Sequence, residues 1–284
     1  MINREVRETL SLRFKVFFNN PLTPSQVWQV LSPNLSSDPW VYGVDGKWLR
    51  RQGVFIIHRN VTTKENLYWS FHPSESYTAL SYDLEHLSEL IGGNPPMGTI
   101  SDWKGAIVSG VASQLGSIPH QRCLTHVVRQ AKRLLPKRSP FPATLSLRHI
   151  AKQLIHIATE EERRGWLISL INWEKKYEHM LTQRTISDGT TQKKWWYTHG
   201  NLRRGWRLLT HNWSPFFVHL DHPLIPKSNN SLEGVISQAS NKLGNHRGMK
   251  TSQQVSFLSW YFTFTRIKTK QDLKILWGYW KVVV

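Results

Sequence analysis

Two aspartates, Asp45 and Asp102, stand where predicted strands end, and this placement suits carboxylates that share a metal ion. The first predicted strand ends near Gly46, and the fourth ends at Asp102. In a sheet that makes these strands neighbours, both carboxylates emerge at one edge and repel each other unless a cation lies between them. Hard cations such as Mg²⁺ prefer oxygen ligands. The pair therefore predicts a Mg²⁺ or Mn²⁺ site, although either aspartate alone is equally typical of an ordinary strand-end cap.

A third acid is expected on a later helix, and Glu233 is the best placed. It lies in the first turn of an amphipathic helix predicted over residues 231–243, where the helix dipole favours a negative charge. The competing interpretation is a capping-box glutamate, with Asn230 as the cap three residues earlier. The two roles are compatible, so the sequence leaves both open.

The elements that must position these acids follow from the hydrophobic periodicity. Strands are predicted at residues 40–45, 54–58, 66–71, 97–102 and 118–123, and helices at 77–91, 103–115 and 127–135. The second strand is apolar on both faces, which predicts a central position. The predicted elements follow the order of a ribonuclease H-like sheet: three strands, then helix, strand, helix, strand and helix. The predicted fold class is therefore α/β, with a mixed ribonuclease H-like sheet.

The chain divides into four predicted segments. Residues 1–37 form a short helical segment, part of a DNA-binding region, with Thr23 as a helix cap and Pro24 at the first helical position. Residues 38–135 form the first part of the core, and residues 136–222 form a helical insertion in which no strand is predicted. Residues 223–284 complete the core and carry the Glu233 helix, and the tail after residue 268 yields no prediction.

The composition indicates a polyanion as partner. The 284 residues include 37 Lys and Arg against 19 Asp and Glu, a formal net charge of +18. Such an excess is typical of proteins that bind nucleic acid. A single cysteine, Cys123, excludes an intrachain disulfide and a four-cysteine zinc site. Without a signal peptide or an apolar run of membrane-spanning length, the chain is expected to be soluble and cytoplasmic.

Three ordered blocks of sequence resemble the bacterial Mutator-type insertion-sequence transposases, a branch of the DDE transposases. The blocks are residues 44–48 (VDGKW), residues 101–107 (SDWKGAI) followed by 121–126 (QRCLTH), and residues 228–234 (SNNSLEG) followed by 246–249 (HRGM). The resemblance covers roughly residues 40–264. Many relatives have a longer N-terminal DNA-binding region, so this chain is interpreted as an N-terminally truncated or split copy.

The resemblance implies a chemistry and a set of roles. Asp45 and Asp102 would bridge two Mg²⁺ ions and Glu233 would hold one of them, for cutting at terminal inverted repeats and joining the 3′-OH ends to target DNA. Basic and polar residues close in sequence to the acids would contact DNA: Lys47, Lys104, Arg122, Asn230, His246, Arg247 and Lys250. By family analogy the chain would act as a homodimer in the bacterial cytoplasm, on the nucleoid.

Two further pairs of residues allow more than one interpretation. Trp195 and Trp196 could stack on an unpaired base at a cleaved DNA end. Core packing is nevertheless the favoured prediction for at least one of these tryptophans. Cys123 and His126 belong to the family pattern, and they are expected to pack at a strand-to-helix junction rather than to bind a metal.

Two alternative functions remain open from the sequence. One is a catalytically silent DNA-binding remnant or repressor, which the positive charge supports equally well. The other is a ribonuclease H-like nuclease such as a resolvase, against which the blocks at residues 228–234 and 246–249 argue.

Overall fold

The computed structural model describes residues 4–33, 35, 39–189, 194–245 and 248–284, which form a mixed α/β structure. The strands are β1 (Val41–Trp48), β2 (Val54–Asn60), β3 (Glu65–His72), β4 (Gly98–Ser101), β5 (His120–Arg122), β6 (Arg184–Ile186) and β7 (Trp195–Tyr197). The helices are α1 (Arg4–Asn19), α2 (Pro24–Val30), α3 (Tyr77–Ile91), α4 (Gly105–Leu115), α5 (Leu124–Leu134), α6 (Pro142–Gln153), α7 (Glu160–Thr182), α8 (Gly200–Thr210), α9 (Val218–Asp221), α10 (Asn230–Gly244), α11 (Thr251–Phe264) and α12 (Lys270–Val283). In the described part of the chain, no helix is both long enough and apolar enough to cross a membrane.

The chain forms two compact units. The first comprises Met1–Ile118 and Asn229–Val284, and the second comprises Pro119–Ser228. The first unit contains β1 to β4, and the short strand β5 falls at the beginning of the second unit. The boundaries of the four segments predicted from the sequence remain a prediction.

The main sheet is mixed, and its first four strands have the order β3-β2-β1-β4. Strand β2 pairs antiparallel with both β1 and β3, whereas β1 pairs in parallel with β4. Every residue of β2 is buried, which confirms the predicted central position of this strand. A polar residue in a central strand must therefore find its partners inside the protein.

The two faces of this sheet are covered by different helices. On one face, Tyr42, Val44 and Ile56 pack with residues of α3 and α4. On the other face, Phe55 and Ile57 pack with residues of α2, α10, α11 and α12. Successive side chains of a strand alternate between faces, so Gly43, Asp45 and Lys47 belong to the second face. The alternation thus places Asp45 on the face that α10, the helix carrying Glu233, covers.

A buried polar network ties α3 to the first face of the sheet. The carboxylate of Asp83 accepts a hydrogen bond from Ser70 Oγ at 2.5 Å and lies 3.2 Å from His58 Nε2 and 2.9 Å from His72 Nε2. The Tyr42 hydroxyl lies 2.6 Å from His58 Nδ1. Burial raises the pKa of Asp83, but the hydrogen bonds from its three partners outweigh burial and hold it at about 2. Asp83 is therefore a buried carboxylate that stays ionised.

The second unit has a core of its own, built by α5 to α8. Two tryptophans of α7 donate hydrogen bonds to α6 from their indole N–H groups. Trp166 donates to Ile150 O at 2.9 Å, and Trp173 donates to Ala143 O at 3.0 Å. The helical character predicted for residues 136–222 is confirmed for most of the described part of this stretch. The prediction that it contains no strand is wrong, because β6 and β7 pair antiparallel within it.

Several element boundaries in the first unit also differ from the prediction. Strand β1 does not end near Gly46 but continues to Trp48, because its antiparallel pairing with β2 extends that far. Helix α4 begins at Gly105 rather than Trp103, since Trp103 has a left-handed backbone with φ 69°. Thr23 caps α2 with Pro24 at its first position, as predicted. The tail, which yielded no prediction, forms helix α12.

Candidate metal site

Asp45 and Asp102 lie level with each other on neighbouring parallel strands. In the register of β1 and β4, Gly43 pairs with Ile100. Asp45 and Asp102 each lie two residues further along, so the same register places them side by side. Opposite Asp45 on β2 is Ile57, which belongs to the core on the second face. The predicted pair of aspartates is therefore brought together, although Asp45 lies within its strand and Asp102 just beyond its own.

The Asp45 carboxyl group shows the electrostatic effect of this proximity. Asp45 is only 9% exposed, and its Oδ1 accepts a hydrogen bond from the Gly46 N–H at 2.8 Å. Burial raises the pKa of Asp45 to about 7, and the negative charge of Asp102 adds to the rise. Gly46 and the Lys104 ammonium oppose the shift without cancelling it. Asp45 thus holds a proton in a setting where a cation would stabilise its charged form.

A lysine ammonium lies between Asp102 and another carboxylate. Lys104 Nζ is 3.0 Å from Asp102 Oδ2 and 2.5 Å from Glu75 Oε2. The loop that carries this lysine is held in place because the Lys104 N–H donates to Asp102 Oδ1 at 3.2 Å, and the Trp103 N–H donates to Ser101 Oγ at 3.1 Å. A left-handed backbone is uncommon for a bulky residue such as Trp103 and costs about 1–2 kcal/mol. This backbone conformation therefore lowers the stability of the folded chain, and it fixes the positions of Asp102 and Lys104.

Glu75 is a carboxylate of this site that the sequence analysis missed. It lies between β3 and α3, and its side chain is only 4% exposed. Its Oε1 lies 3.3 Å from the position that a Cβ on Gly46 would occupy, and no hydrogen-bond partner for Oε1 is found in the described part of the chain. Burial raises the pKa of Glu75, and hydrogen bonding to Lys104 opposes the rise. A buried oxygen without a donor is suited to receive a cation.

Glu233 lies on the helix that covers the Asp45 face of the sheet. Gly43 of β1 approaches the start of α10 so closely that a Cβ there would lie 3.2 Å from Asn229 Oδ1. Glu233 is half-buried in the first turn of this helix. The capping-box alternative is wrong, because the cap is Asn229 rather than Asn230, and Glu233 falls one position beyond the one a capping box uses. No capping hydrogen bond from the Asn229 side chain is found among the described residues.

The predicted DNA-contacting residues of the first unit differ in exposure. Lys47 projects from the same face of β1 as Asp45 and is half-buried, which lowers its pKa. Asn230 and Lys250 are exposed, at the first residue of α10 and immediately before α11. Lys104 is occupied by its two carboxylate partners. His246 and Arg247 lie outside the described residues.

The remaining predicted residues belong to the second unit. The Arg122 guanidinium lies over the Phe216 ring, 5.3 Å from its centroid. Cys123 is fully buried between β5 and α5, and His126 follows in the first turn of α5, so both residues lie at the predicted strand-to-helix junction.

Trp195 and Trp196 are neighbours on β7 and are both 42% exposed. The prediction that at least one of them packs in a core is wrong. Alternation along β7 turns the two rings to opposite sides of the ribbon. Trp195 instead stacks with a cation, the Arg184 guanidinium at 4.0 Å from its ring centroid.

Comparison with protein-family models and with curated proteins finds no match to this chain. The assignment of a function therefore rests on the residues and their geometry.

The donor set suits a hard divalent cation. Asp45, Asp102 and Glu75 supply carboxylate oxygens only, which is the ligand type that Mg²⁺ and Mn²⁺ prefer. The Lys104 ammonium shows that the space between Asp102 and Glu75 accommodates positive charge. Asp45, Asp102 and Glu75 are therefore candidate ligands for such a cation.

Asp45→Asn is expected to stabilise the metal-free chain at pH 8 by a few kcal/mol. The pKa of Asp45 is about 7 when folded, against an ordinary value of 3.8, so ionising it weakens the folded state. The free energy of unfolding of the wild type should fall as the pH rises from about 4 to about 7. Asparagine keeps the oxygen that accepts from Gly46 and removes the charge, so the variant should lose this pH dependence.

Urea unfolding in EDTA at pH 5 and pH 8 measures this effect. Asp221→Asn, at an exposed aspartate of the second unit, is the matched control and should behave as the wild type. Equal stability of Asp45→Asn and the wild type at pH 8 would contradict the prediction that the ionised Asp45 carboxylate lowers the free energy of unfolding.

Proposed function

We propose that this chain is a metal-dependent DNA transposase of the DDE type, similar to the Mutator-type insertion-sequence transposases. The observation that carries the proposal is the level placement of Asp45 and Asp102 on neighbouring parallel strands, with the pKa of Asp45 raised by burial and by Asp102. Two aspartates that served only as strand-end caps would not be favoured side by side in a buried setting, because their charges repel each other.

The arrangement of the first unit supports a ribonuclease H-like core. In its strand order β3-β2-β1-β4, the strands that carry or precede the two aspartates, β1 and β4, are neighbours, as expected for such a sheet. The second unit interrupts the first in sequence and is mostly helical, as an insertion placed before the glutamate helix would be. Helix α10 then returns to the face of the sheet that carries Asp45.

The net charge of +18 supports DNA as the substrate, both as element ends and as target. The proposed setting is the bacterial cytoplasm, on the nucleoid. The proposed assembly is a homodimer, because joining two element ends requires two copies of the site.

In this proposal Asp45, Asp102 and Glu233 would hold the Mg²⁺ ions. When bound, the ions would activate water or a DNA 3′-OH and stabilise the leaving oxygen of an in-line displacement. Asp45 must release its proton to bind a cation, so binding should strengthen as the pH rises through about 7. Lys104 must move away from Asp102, which frees its ammonium for a DNA phosphate. Lys47, on the same face of β1, offers a second phosphate contact.

Two matched substitutions, Glu233→Gln and Glu75→Gln, test which glutamate completes the site. Each keeps the side-chain length and removes one negative charge. Glu233→Gln is expected to weaken Mn²⁺ binding and to slow cleavage of a DNA duplex by roughly 10²-fold or more, while Glu75→Gln should have the smaller effect. Isothermal titration with Mn²⁺ and a gel assay for 3′-OH products measure the two quantities.

The outcomes separate the alternatives. Loss of activity in Glu75→Gln alone would reassign the third ligand to Glu75. Tight DNA binding by the wild type without Mn²⁺ binding would contradict the proposal and favour a DNA-binding remnant. Cleavage without preference for inverted-repeat ends would favour a ribonuclease H-like nuclease.

A further inference from the structure

A second polar site lies in the first unit, in a cavity of about 250 Å³ that contains none of the acids discussed above. Strand β2, the turn after it and helices α10 and α11 border this cavity. Four cationic side chains line it, together with one acid, Glu65: the cations are Arg59, Lys64, Arg266 and Lys268. The volume is below the roughly 300–1,000 Å³ of pockets for drug-sized ligands, so a small anion suits it better.

The two arginines are held in place before any ligand arrives. Arg59 is 5% exposed, and its Nη1 donates to Asn66 Oδ1 at 2.5 Å. Arg266 is 9% exposed, and its guanidinium donates to Leu31 O at 2.5 Å and lies 3.6 Å from Glu65 Oε2. Side chains fixed in this way lose little entropy when they bind an anion.

One donor of this pair is left unsatisfied. Arg59 Nε is buried, and no acceptor for it is found in the described residues. A buried charged donor without a partner is costly, and an anion that accepts from it would remove that cost. The arginine fork matches the oxygens of a phosphate, which accepts several hydrogen bonds at once.

The two lysines complete the cavity at its exposed side. Lys64 is exposed and has a left-handed backbone with φ 61°, a conformation uncommon for a lysine. Lys268 has a 65% exposed side chain and is paired with Glu65. Four positive charges against one negative charge leave the lining strongly positive. A monoanionic or dianionic ligand would therefore be attracted rather than repelled.

We propose that this cavity binds a phosphate group. The phosphate can come from a DNA strand or from a free phosphate ion. If it belongs to DNA, the inference rests on the proposed function and deepens it. Arg59 pairs with Gly43, and Asp45 lies two residues further along β1 on the same face. That is roughly 7 Å along the strand.

The test removes the two exposed lysines together, as Lys64→Asn with Lys268→Gln. Asparagine tolerates the left-handed backbone at position 64, so the turn should persist. The matched control is Lys270→Gln with Lys274→Gln, which removes the same charge from exposed positions of α12 outside the cavity. All proteins are full-length chains in EDTA, so catalysis plays no part, and thermal unfolding checks that each one folds.

Two probes are used, inorganic phosphate followed by isothermal titration and a short DNA duplex followed by fluorescence anisotropy. The cavity variant is expected to bind phosphate roughly tenfold more weakly, and the control should bind as the wild type. If the phosphate belongs to DNA, the variant also loses DNA affinity, and the slope of log K against log salt falls by about 1 to 2 more than in the control.

Weaker phosphate binding with unchanged DNA binding would support the cavity and assign it to free phosphate. A wild type that binds phosphate in this cavity but does not bind DNA would contradict the proposed function while leaving the cavity assignment intact. If the cavity variant binds both probes as the control does, the inference is overturned.

Discussion

Asp102→Asn is expected to lower Mg²⁺-dependent DNA cleavage by roughly 10³-fold or more, while DNA binding stays close to that of the wild type. A bound metal stabilises transition-state charge by several kcal/mol, and a neutral amide is a poor ligand for a hard cation. Asparagine keeps the Oδ1 that accepts from the Lys104 N–H, so the loop should hold its shape. Removing a negative charge beside the DNA should not weaken DNA binding.

Single-turnover cleavage of a labelled duplex, with anisotropy for binding, measures both quantities. Asp221→Asn changes the same functional group at an exposed position of the second unit and should cleave as the wild type. Normal cleavage by Asp102→Asn would show that the aspartate pair is not the metal site. A parallel loss of DNA binding would instead point to a folding or surface defect, which thermal unfolding would detect.

Asp83→Asn is expected to lower the free energy of unfolding by about 3–5 kcal/mol at pH 7. The ionised carboxylate accepts from Ser70 and pairs with His58 and His72, all within 3.2 Å. An amide nitrogen in place of one carboxylate oxygen would face a donor instead of accepting from it. The desolvated partners would then lose their charge-assisted hydrogen bonds.

The pH dependence of this effect follows from the pKa of Asp83. The folded-state value of about 2 lies below the ordinary 3.8, so the stabilisation is present above pH 4 or so and is lost as the pH falls through about 2. Urea unfolding at pH 7 and pH 3 should therefore show a smaller difference between Asp83→Asn and the wild type at the lower pH. Glu85→Gln, exposed on the same helix, is the control. A difference that grows as the pH falls would contradict this account.

The regular elements could be predicted because their signals are local. Helix α3 has the predicted bounds, since Leu80, Leu84 and Leu87 recur at helical spacing and Gly92 ends the helix in a left-handed conformation. Strand β2 could be predicted as central because an apolar run on both faces requires burial on both faces. The three-residue strands β6 and β7 could not, because three residues are too few to display a period.

The candidate site could be predicted only in part. Asp45 and Asp102 follow from their places in a motif and in a strand order. Glu75 could not be found in this way, because it lies in a connection between β3 and α3 and reaches the site only through the folded arrangement of that connection. The exposure of Trp195 and Trp196 likewise depends on how the β6–β7 ribbon packs in the folded chain, which no local pattern shows.

By itself the sequence determined the mixed α/β class, the net positive charge, and the expectation that Asp45 and Asp102 lie together, because composition and periodicity are properties of the chain alone. Only the tertiary structure decided that the pKa of Asp45 is raised to about 7, that Lys104 lies between Asp102 and Glu75, and that the buried Arg59 Nε has no acceptor among the described residues. Burial, pKa and hydrogen-bond satisfaction depend on residues distant in sequence, so no local pattern records them.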